Sequence, residues 1–206
     1  MTTRTPQFTR VIIFSGCAGA GVTSTIRVLM NAAAEPALSA LLRTDNGARS
    51  VTSTTVALPF GSAVLVDTPG LHQGPHGTVP HDDAVLQLTR AITRATQEVG
   101  GGRVQLVHVA RRDTDVSNRR DHERLAALAA AVGAPPPALV ITRCDDYACM
   151  RYGGQVLIEA LQPHAAVACV AVGDACDGTG MRAEAVRMAR ERHPESRIAL
   201  REALAL

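Results

Sequence analysis

The fold is decided by residues 11–23, which read VIIFSGCAGAGVT. The apolar run Val11–Phe14 predicts a buried strand, because short apolar runs bounded by turn residues suit a strand covered on both faces. The glycine-rich turn Gly16–Gly21 follows it, and a helix is predicted over Thr23–Ala34. A strand, a glycine-rich turn and a helix in this order predict the beginning of a parallel α/β sheet.

Strands and helices continue to alternate along the rest of the chain. Further strands are predicted at Val51–Leu58, Ala63–Val66, Val104–Val109, Ala138–Thr142 and Ala166–Val172, and helices at His81–Val99, Asn118–Val132, Gln155–Leu161, Gly180–Arg192 and Ser196–Leu206. This alternation predicts an α/β fold whose mostly parallel sheet, of about six strands, is flanked by helices on both faces. We expect an N-terminal extension over residues 1–9, one domain over 10–192 and a short helical tail over 193–206.

The composition bounds the class of protein. The 206 residues suffice for one domain, and its core must be built from Ala, Val, Leu and Ile because aromatic residues make up 2% of the chain. Five scattered cysteines favour a reducing compartment. There is no apolar run near the roughly 20 residues of a membrane span, and the start lacks a signal peptide's apolar region. We therefore expect a cytoplasmic protein, with at most peripheral membrane contact.

The charge gives no reason to expect nucleic acid as a partner. The chain has 21 basic and 19 acidic residues, for a net charge of +2. Every basic residue is Arg, and Lys does not occur. The missing residue type matters because one motif of the chain normally contains a Lys.

The glycine-rich turn matches most of a phosphate-binding loop, G-x-x-x-x-G-K-[ST]. Gly16 and Gly21 supply the two glycines and Thr23 the hydroxyl that binds Mg²⁺, but Val22 occupies the Lys position. In such loops the backbone N–H groups and the helix N-terminus bind phosphate. An ordinary strand-to-helix turn is the alternative interpretation of these residues alone.

Two further motifs each follow an apolar strand. Asp67-Thr68-Pro69-Gly70 has the form D-x-x-G, in which the Asp holds Mg²⁺ through water and the Gly N–H meets a γ-phosphate. Thr142-Arg143-Cys144-Asp145 has the form of the guanine-reading [NT]-K-x-D, with Arg143 in the Lys position. Asp145 would accept hydrogen bonds from the guanine ring, which adenine cannot donate. His72, His76 and His81 are interpreted as solvated loop residues.

Together these motifs resemble the avirulence-induced and immunity-associated GTPases, relatives of the septins and the chloroplast outer-envelope import receptors. The matched elements are G-x-x-G-x-G at Gly16, Gly19 and Gly21, S-V-T at Ser50–Thr52, DTPGL at Asp67–Leu71 and T-R-x-[DE]-D at Thr142–Asp146. The resemblance covers roughly residues 10 to 175. The chain departs from the family at Val22, at His72 and at Val170–Asp174, where the family's Asn is absent.

The resemblance implies a P-loop G domain that binds GTP or GDP with Mg²⁺. The implied nucleotide contacts are Gly16, Cys17, Ala18, Gly19, Ala20, Gly21, Val22, Thr23, Ser24, Thr52, Gly70, Thr142, Arg143, Asp145 and Gly173. Thr23, Thr52 and Asp67 are the implied Mg²⁺ ligands. Arg111 lies where this family supplies an arginine finger in trans, across a homodimer formed through the G-domain face.

The loss of the loop Lys bears on turnover more than on binding. One charge about 4 Å from another is worth roughly 4 kcal/mol at an effective dielectric near 20. We therefore expect a guanine-nucleotide switch or scaffold protein with weak or absent hydrolysis. The alternatives are a GTPase activated by dimerisation, a pseudo-GTPase interaction module that binds no nucleotide and, less favoured, an ATP-dependent P-loop enzyme.

Overall fold

The computed structural model describes residues 8–32, 36–42, 52–72, 78–112, 116–143, 158–159, 161, 167–170 and 193–206. The strands are β1 (Arg10–Ser15), β2 (Val56–Phe60), β3 (Ala63–Asp67), β4 (Val104–Arg111), β5 (Ala138–Thr142) and β6 (Val167–Cys169). The helices are α1 (Val22–Met30), α2 (Pro36–Leu41), α3 (His81–Val99), α4 (Val116–Ala131) and α5 (His193–Ala203), with a 3₁₀ turn at Gly101–Arg103.

The strands form one six-stranded sheet in the order β2-β3-β1-β4-β5-β6. Every neighbouring pair is parallel except the edge pair β2 and β3. The predicted α/β fold with a mostly parallel sheet is therefore confirmed. The edge position of β2 explains Pro59 in this strand, since an edge strand tolerates the lost N–H.

Helices cover both faces of the sheet because successive strand residues point to opposite sides. On one face Ile12 and Phe14 of β1 pack in the core that includes α1 and α5. On the other face Val11 and Ile13 pack in the core that includes α3 and α4. The strands are mostly apolar for this reason, as a parallel sheet buried on both sides requires.

The C-terminal helix α5 packs into the first of these cores. It spans His193–Ala203, whereas the sequence predicted a helix over Ser196–Leu206. Leu200 and Leu204 are buried, and the Arg10 guanidinium donates to the Leu204 carbonyl at 2.6 Å. Among the described helices there is no candidate for a membrane span by length and hydropathy.

Several predicted boundaries differ from the observed ones. α1 ends at Met30 rather than Ala34, because Asn31 adopts φ 55° and its N–H binds carbonyls of the last turn. β2 begins at Val56 rather than Val51. The residue before it, Thr55, does not pair with β3, because its N–H donates to the Gln87 side chain of α3. The predicted helix Gly180–Arg192 and most of Gln155–Leu161 lie outside the described residues.

Candidate phosphate and magnesium site

Strand β1 ends at Ser15, directly before the predicted phosphate loop. β1 lies between β3 and β4. The chain continues from β1 to β2 and β3 on one side of β1, and then crosses to β4 on its other side. Open parallel sheets bind ligands in the crevice outside the carboxyl ends of the strands, where the strand order reverses in this way. The loop Gly16–Gly21 follows β1 at this crevice, which makes it the expected ligand site.

The loop requires glycine for two different reasons. Gly19 and Gly21 have φ values of +77° and +88°, a region that residues with a side chain rarely adopt. At Gly16 the requirement is space, because a Cβ there would overlap the carbonyl oxygen of Val109. Gly21 also gives α1 no side-chain cap, so the first N–H groups of the helix lack that acceptor. An uncapped helix start of this kind favours an anion such as phosphate.

Val22 occupies the position of the loop Lys with an uncharged, apolar side chain. It is the first residue of α1, is 6% exposed, and packs in the hydrophobic core on that face of the sheet. The position is therefore used for packing, and its side chain supplies no charge to a phosphate. Ser24, two residues further along α1, is half-buried in the first turn of the helix.

The three predicted Mg²⁺ ligands lie together although they come from three separate segments. The Thr23 hydroxyl donates to Oδ2 of Asp67 at 2.8 Å, and Thr52 Oγ1 lies 3.0 Å from Thr23 Oγ1. The Thr52 hydroxyl also lies 3.4 Å from the same carboxylate oxygen. Two hydroxyls and one carboxylate thus form a cluster of hard oxygen ligands at the start of α1, a donor set that suits Mg²⁺.

Asp67 carries an electrostatic cost that a cation would relieve. Burial raises the pKa of Asp67 to about 6, and the hydrogen bonds from Thr23 and Thr52 act in the opposite direction. Its other carboxylate oxygen, Oδ1, is buried and has no hydrogen-bond partner among the described residues. A buried carboxylate is stable when paired with a cation or fully hydrogen-bonded. The donor set and the unsatisfied oxygen together fit a divalent cation.

The segment after β3 is held against the glycine-rich loop. The Ala18 N–H donates to the Leu71 carbonyl at 2.7 Å and the Leu71 N–H donates to the Gly16 carbonyl at 2.8 Å, so that Cys17 and Leu71 form an isolated bridge. A Cβ at Gly70 would lie 2.7 Å from the Ala18 Cα, which is too close. Glycine at position 70 therefore lets the D-x-x-G segment approach the loop.

Thr142 joins the predicted guanine-reading segment to the same loop. Its buried hydroxyl lies 2.7 Å from the carbonyl oxygen of Ala20 and 3.2 Å from that of Ala110. The next residue, Arg143, is exposed and has φ 64°. Asp145 and Gly173, the other predicted contacts to the base, lie outside the described residues.

Arg111 lies beside the glycine-rich loop. It is the last residue of β4, it is half-buried, and its Nη1 is 3.7 Å from the point that a Cβ on Gly19 would occupy. The resemblance assigned this residue a role across a dimer. The sequence gives no signal for the contact with Gly19, because the contact depends on β4 being the neighbour of β1.

A histidine network near the D-x-x-G segment was not expected from the sequence. His72 and His81 are stacked with 4.4 Å between ring centroids, and His72 Nε2 lies 2.7 Å from Oδ1 of Asp121, which is buried. Burial raises the pKa of Asp121, while His72 and Arg124 act in the opposite direction. The interpretation of His72 and His81 as simply solvated residues is thus incomplete; His76 lies outside the described residues.

Comparison with known proteins gives remote similarities. No protein-family model matches the chain, and no curated protein matches it. It is similar to the crystal structure of a probable GTP-binding protein engB, with 12% identity over 90% of this chain and 99% of that one and a TM-score of 0.48. It is also similar to a bacterial selenocysteine-specific elongation factor EF-Sec, with 13% identity, 95% of this chain, 28% of that one and a TM-score of 0.47.

At these values the similarities do not indicate what this chain binds. The sheet order, with its glycine-rich loop after the first strand, is the mostly parallel α/β arrangement predicted from the sequence. Within that class, membership of the immunity-associated family stays a prediction.

Proposed function

We propose that this chain binds GTP and GDP together with Mg²⁺, and that it is a switch or scaffold protein of the immunity-associated GTPase type with weak or absent hydrolysis. One observation carries the proposal: Thr23, Thr52 and Asp67 meet at the uncapped start of α1. The Asp67 carboxylate is buried there, and among the described residues its Oδ1 has no hydrogen-bond partner. Binding of a cation and a phosphate explains both features.

The parts of the site have separate roles in this proposal. The N–H groups at the start of α1 bind phosphate oxygens, and the glycines leave room for them. The hydroxyls of Thr23 and Thr52 and the carboxylate of Asp67 hold Mg²⁺, which neutralises phosphate charge when bound. Thr142 fixes the loop to the segment that carries Asp145, the residue to which we assign the choice of guanine.

Weak hydrolysis follows from the position of Val22. A cation next to the phosphates stabilises charge that develops in the transition state, whereas backbone groups also bind the ground state. Val22 is uncharged and its side chain is buried in the core. The loop therefore keeps the backbone groups that bind phosphate but lacks this cation. Binding is therefore retained better than turnover.

The first experiment measures the nucleotide content of the purified protein by mass and ultraviolet absorbance. Calorimetry with GDP, GTP and ATP in the presence of Mg²⁺ then gives the affinities. We expect binding of both guanine nucleotides and a much lower affinity for ATP. Asp145→Ala should remove the preference for guanine. If neither guanine nucleotide gives heat, the proposal is wrong.

A substitution of Asp67 tests the magnesium site directly. Asp67→Asn keeps the shape of the side chain and removes its charge. We expect the Mg²⁺ concentration that supports half-maximal GDP binding to rise roughly 10- to 100-fold. Asp83→Asn, an exposed acidic residue in the first turn of α3, is the matched control and should leave this concentration unchanged.

The second candidate is a pseudo-GTPase, an interaction module that binds no nucleotide. The burial of Val22 favours it, since packing has replaced the loop charge at that position. This candidate predicts that Asp67→Asn stabilises the protein against urea, because an unpaired buried charge is removed and no cation binding is lost. A nucleotide-binding protein instead loses its stabilisation by Mg²⁺ and GDP in the same variant.

A further inference from the structure

The end of β4 places a cation next to the phosphate loop. β4 runs parallel to β1 with Ser15 opposite His108, so the residues that follow His108 run beside the start of the loop. Nη1 of Arg111 consequently lies 3.7 Å from the position of a Cβ on Gly19. Gly19 has no side chain that would separate this guanidinium from the loop. A positive charge therefore lies close to the loop, although the residue at position 22 carries none.

The backbone of Arg111 is fixed by two neighbouring elements. The buried Asn118 of α4 donates from Nδ2 to the Arg111 carbonyl at 2.9 Å. On the other side Arg111 is the register partner of Thr142 at the end of β5. Because the Thr142 hydroxyl also contacts the loop at Ala20, the strand end and the loop share one set of contacts. This arrangement holds Arg111 beside the loop of its own chain.

We propose that Arg111 binds the phosphates of the nucleotide held by its own chain, and supplies in cis the positive charge that Val22 does not. The inference rests on the proposed function and names a specific residue for it. The guanidinium is always protonated and forms paired hydrogen bonds with phosphate oxygens, so it substitutes for an ammonium at a phosphate site. The assignment differs from an arginine finger, which acts on the nucleotide of a partner subunit.

Calorimetry with GDP and a non-hydrolysable GTP analogue tests the assignment. Arg111→Gln should weaken both affinities roughly 10- to 100-fold, the loss expected when a hydrogen bond to a charged group is removed. Arg111→Lys should keep part of the affinity. The control is Arg103→Gln, which removes an equal charge next to the opposite end of β4 and should bind as the wild type does. Melting curves without nucleotide should be equal for all variants.

Two further measurements separate a role in cis from one in trans. In cis, the loss caused by Arg111→Gln is the same over a 100-fold range of protein concentration, and Val22→Lys restores affinity in the Arg111→Gln background. Wild-type affinity for both nucleotides with no loss in Arg111→Gln overturns this inference and leaves the proposed function standing. A loss that depends on protein concentration also overturns it, in favour of a finger in trans. A wild type that binds neither nucleotide overturns both.

Discussion

The buried His108 makes a quantitative prediction about acid stability. Its side chain lies in β4 and faces His122 of α4, with 5.4 Å between the ring centroids. Burial, and after it the proximity of His122, lowers the pKa of His108 to about 3. Neither ring nitrogen has a hydrogen-bond partner among the described residues. The folded protein therefore keeps this imidazole neutral at a pH where the unfolded chain protonates it.

The magnitude follows from linkage between protonation and folding. The unfolded His takes up a proton as the pH falls through about 6.5, while the folded one does so near 3, so stability is lost as the pH falls between these values. Each pH unit inside this window costs about 1.4 kcal/mol. Between pH 7 and pH 5 the contribution of His108 to the free energy of unfolding falls by about 2 kcal/mol.

His108→Leu removes this contribution with a side chain of similar volume. Urea unfolding should be followed by circular dichroism, since the chain has no Trp, at pH 7 and at pH 5 on nucleotide-free protein. The variant should lose about 2 kcal/mol less than the wild type between these values. Asp67, whose raised pKa acts in the opposite direction, is present in both proteins and cancels in the difference. Equal losses in the two proteins would refute the reasoning.

Three other substitutions test the site. Gly70→Ala should weaken GTP binding more than GDP binding in calorimetry, because its Cβ displaces the loop at Ala18. The control is Gly102→Ala, whose Cβ meets nothing within 4 Å. Equal affinities of the two variants for GTP would contradict the close approach at Gly70. Thr142→Val should lower the free energy of unfolding by about 1 to 3 kcal/mol, since the Ala20 carbonyl loses its hydroxyl donor; an unchanged urea midpoint would contradict it. Val22→Lys should raise the rate of GTP hydrolysis, measured by phosphate release, because it adds a cation within the loop itself; an unchanged rate would contradict the link between weak turnover and the missing loop Lys.

The sequence predicts the sheet well because the relevant signals are local. A continuous apolar run such as Ala138–Thr142 is sufficient to indicate a strand buried on both faces, and its observed bounds agree with the prediction. The helix His81–Val99 is also observed with its predicted bounds, since the glycine at position 100 ends it clearly. The prediction fails at residues 52–55, where the alternation of residues suggests a strand but contacts made by Thr52 and Thr55 take those residues out of the sheet.

The site is predictable to the extent that motifs determine it. Thr23, Thr52 and Asp67 are identified from separate motifs, and their mutual contacts agree with that grouping. The burial of Val22 and the contact between Arg111 and Gly19 are different, because each depends on which elements become neighbours in the sheet. A motif shows which residue type is missing. It does not show which residue of a neighbouring strand lies close enough to supply the missing charge.

On the proposed function, the sheet order provides a cation beside a loop that has no Lys of its own. The glycine-rich loop follows β1, and the strand next to β1 on the side away from β3 is β4, whose last residue lies beside the loop. A cation at that residue acts on the same phosphates as one on α1. Val22 then contributes apolar burial to the core of α1, while Arg111 contributes charge from a strand. On this reasoning the two substitutions are coupled, and Val22→Lys should increase GDP affinity more in the Arg111→Gln protein than in the wild type; equal increases in calorimetry would show that the two positions act independently.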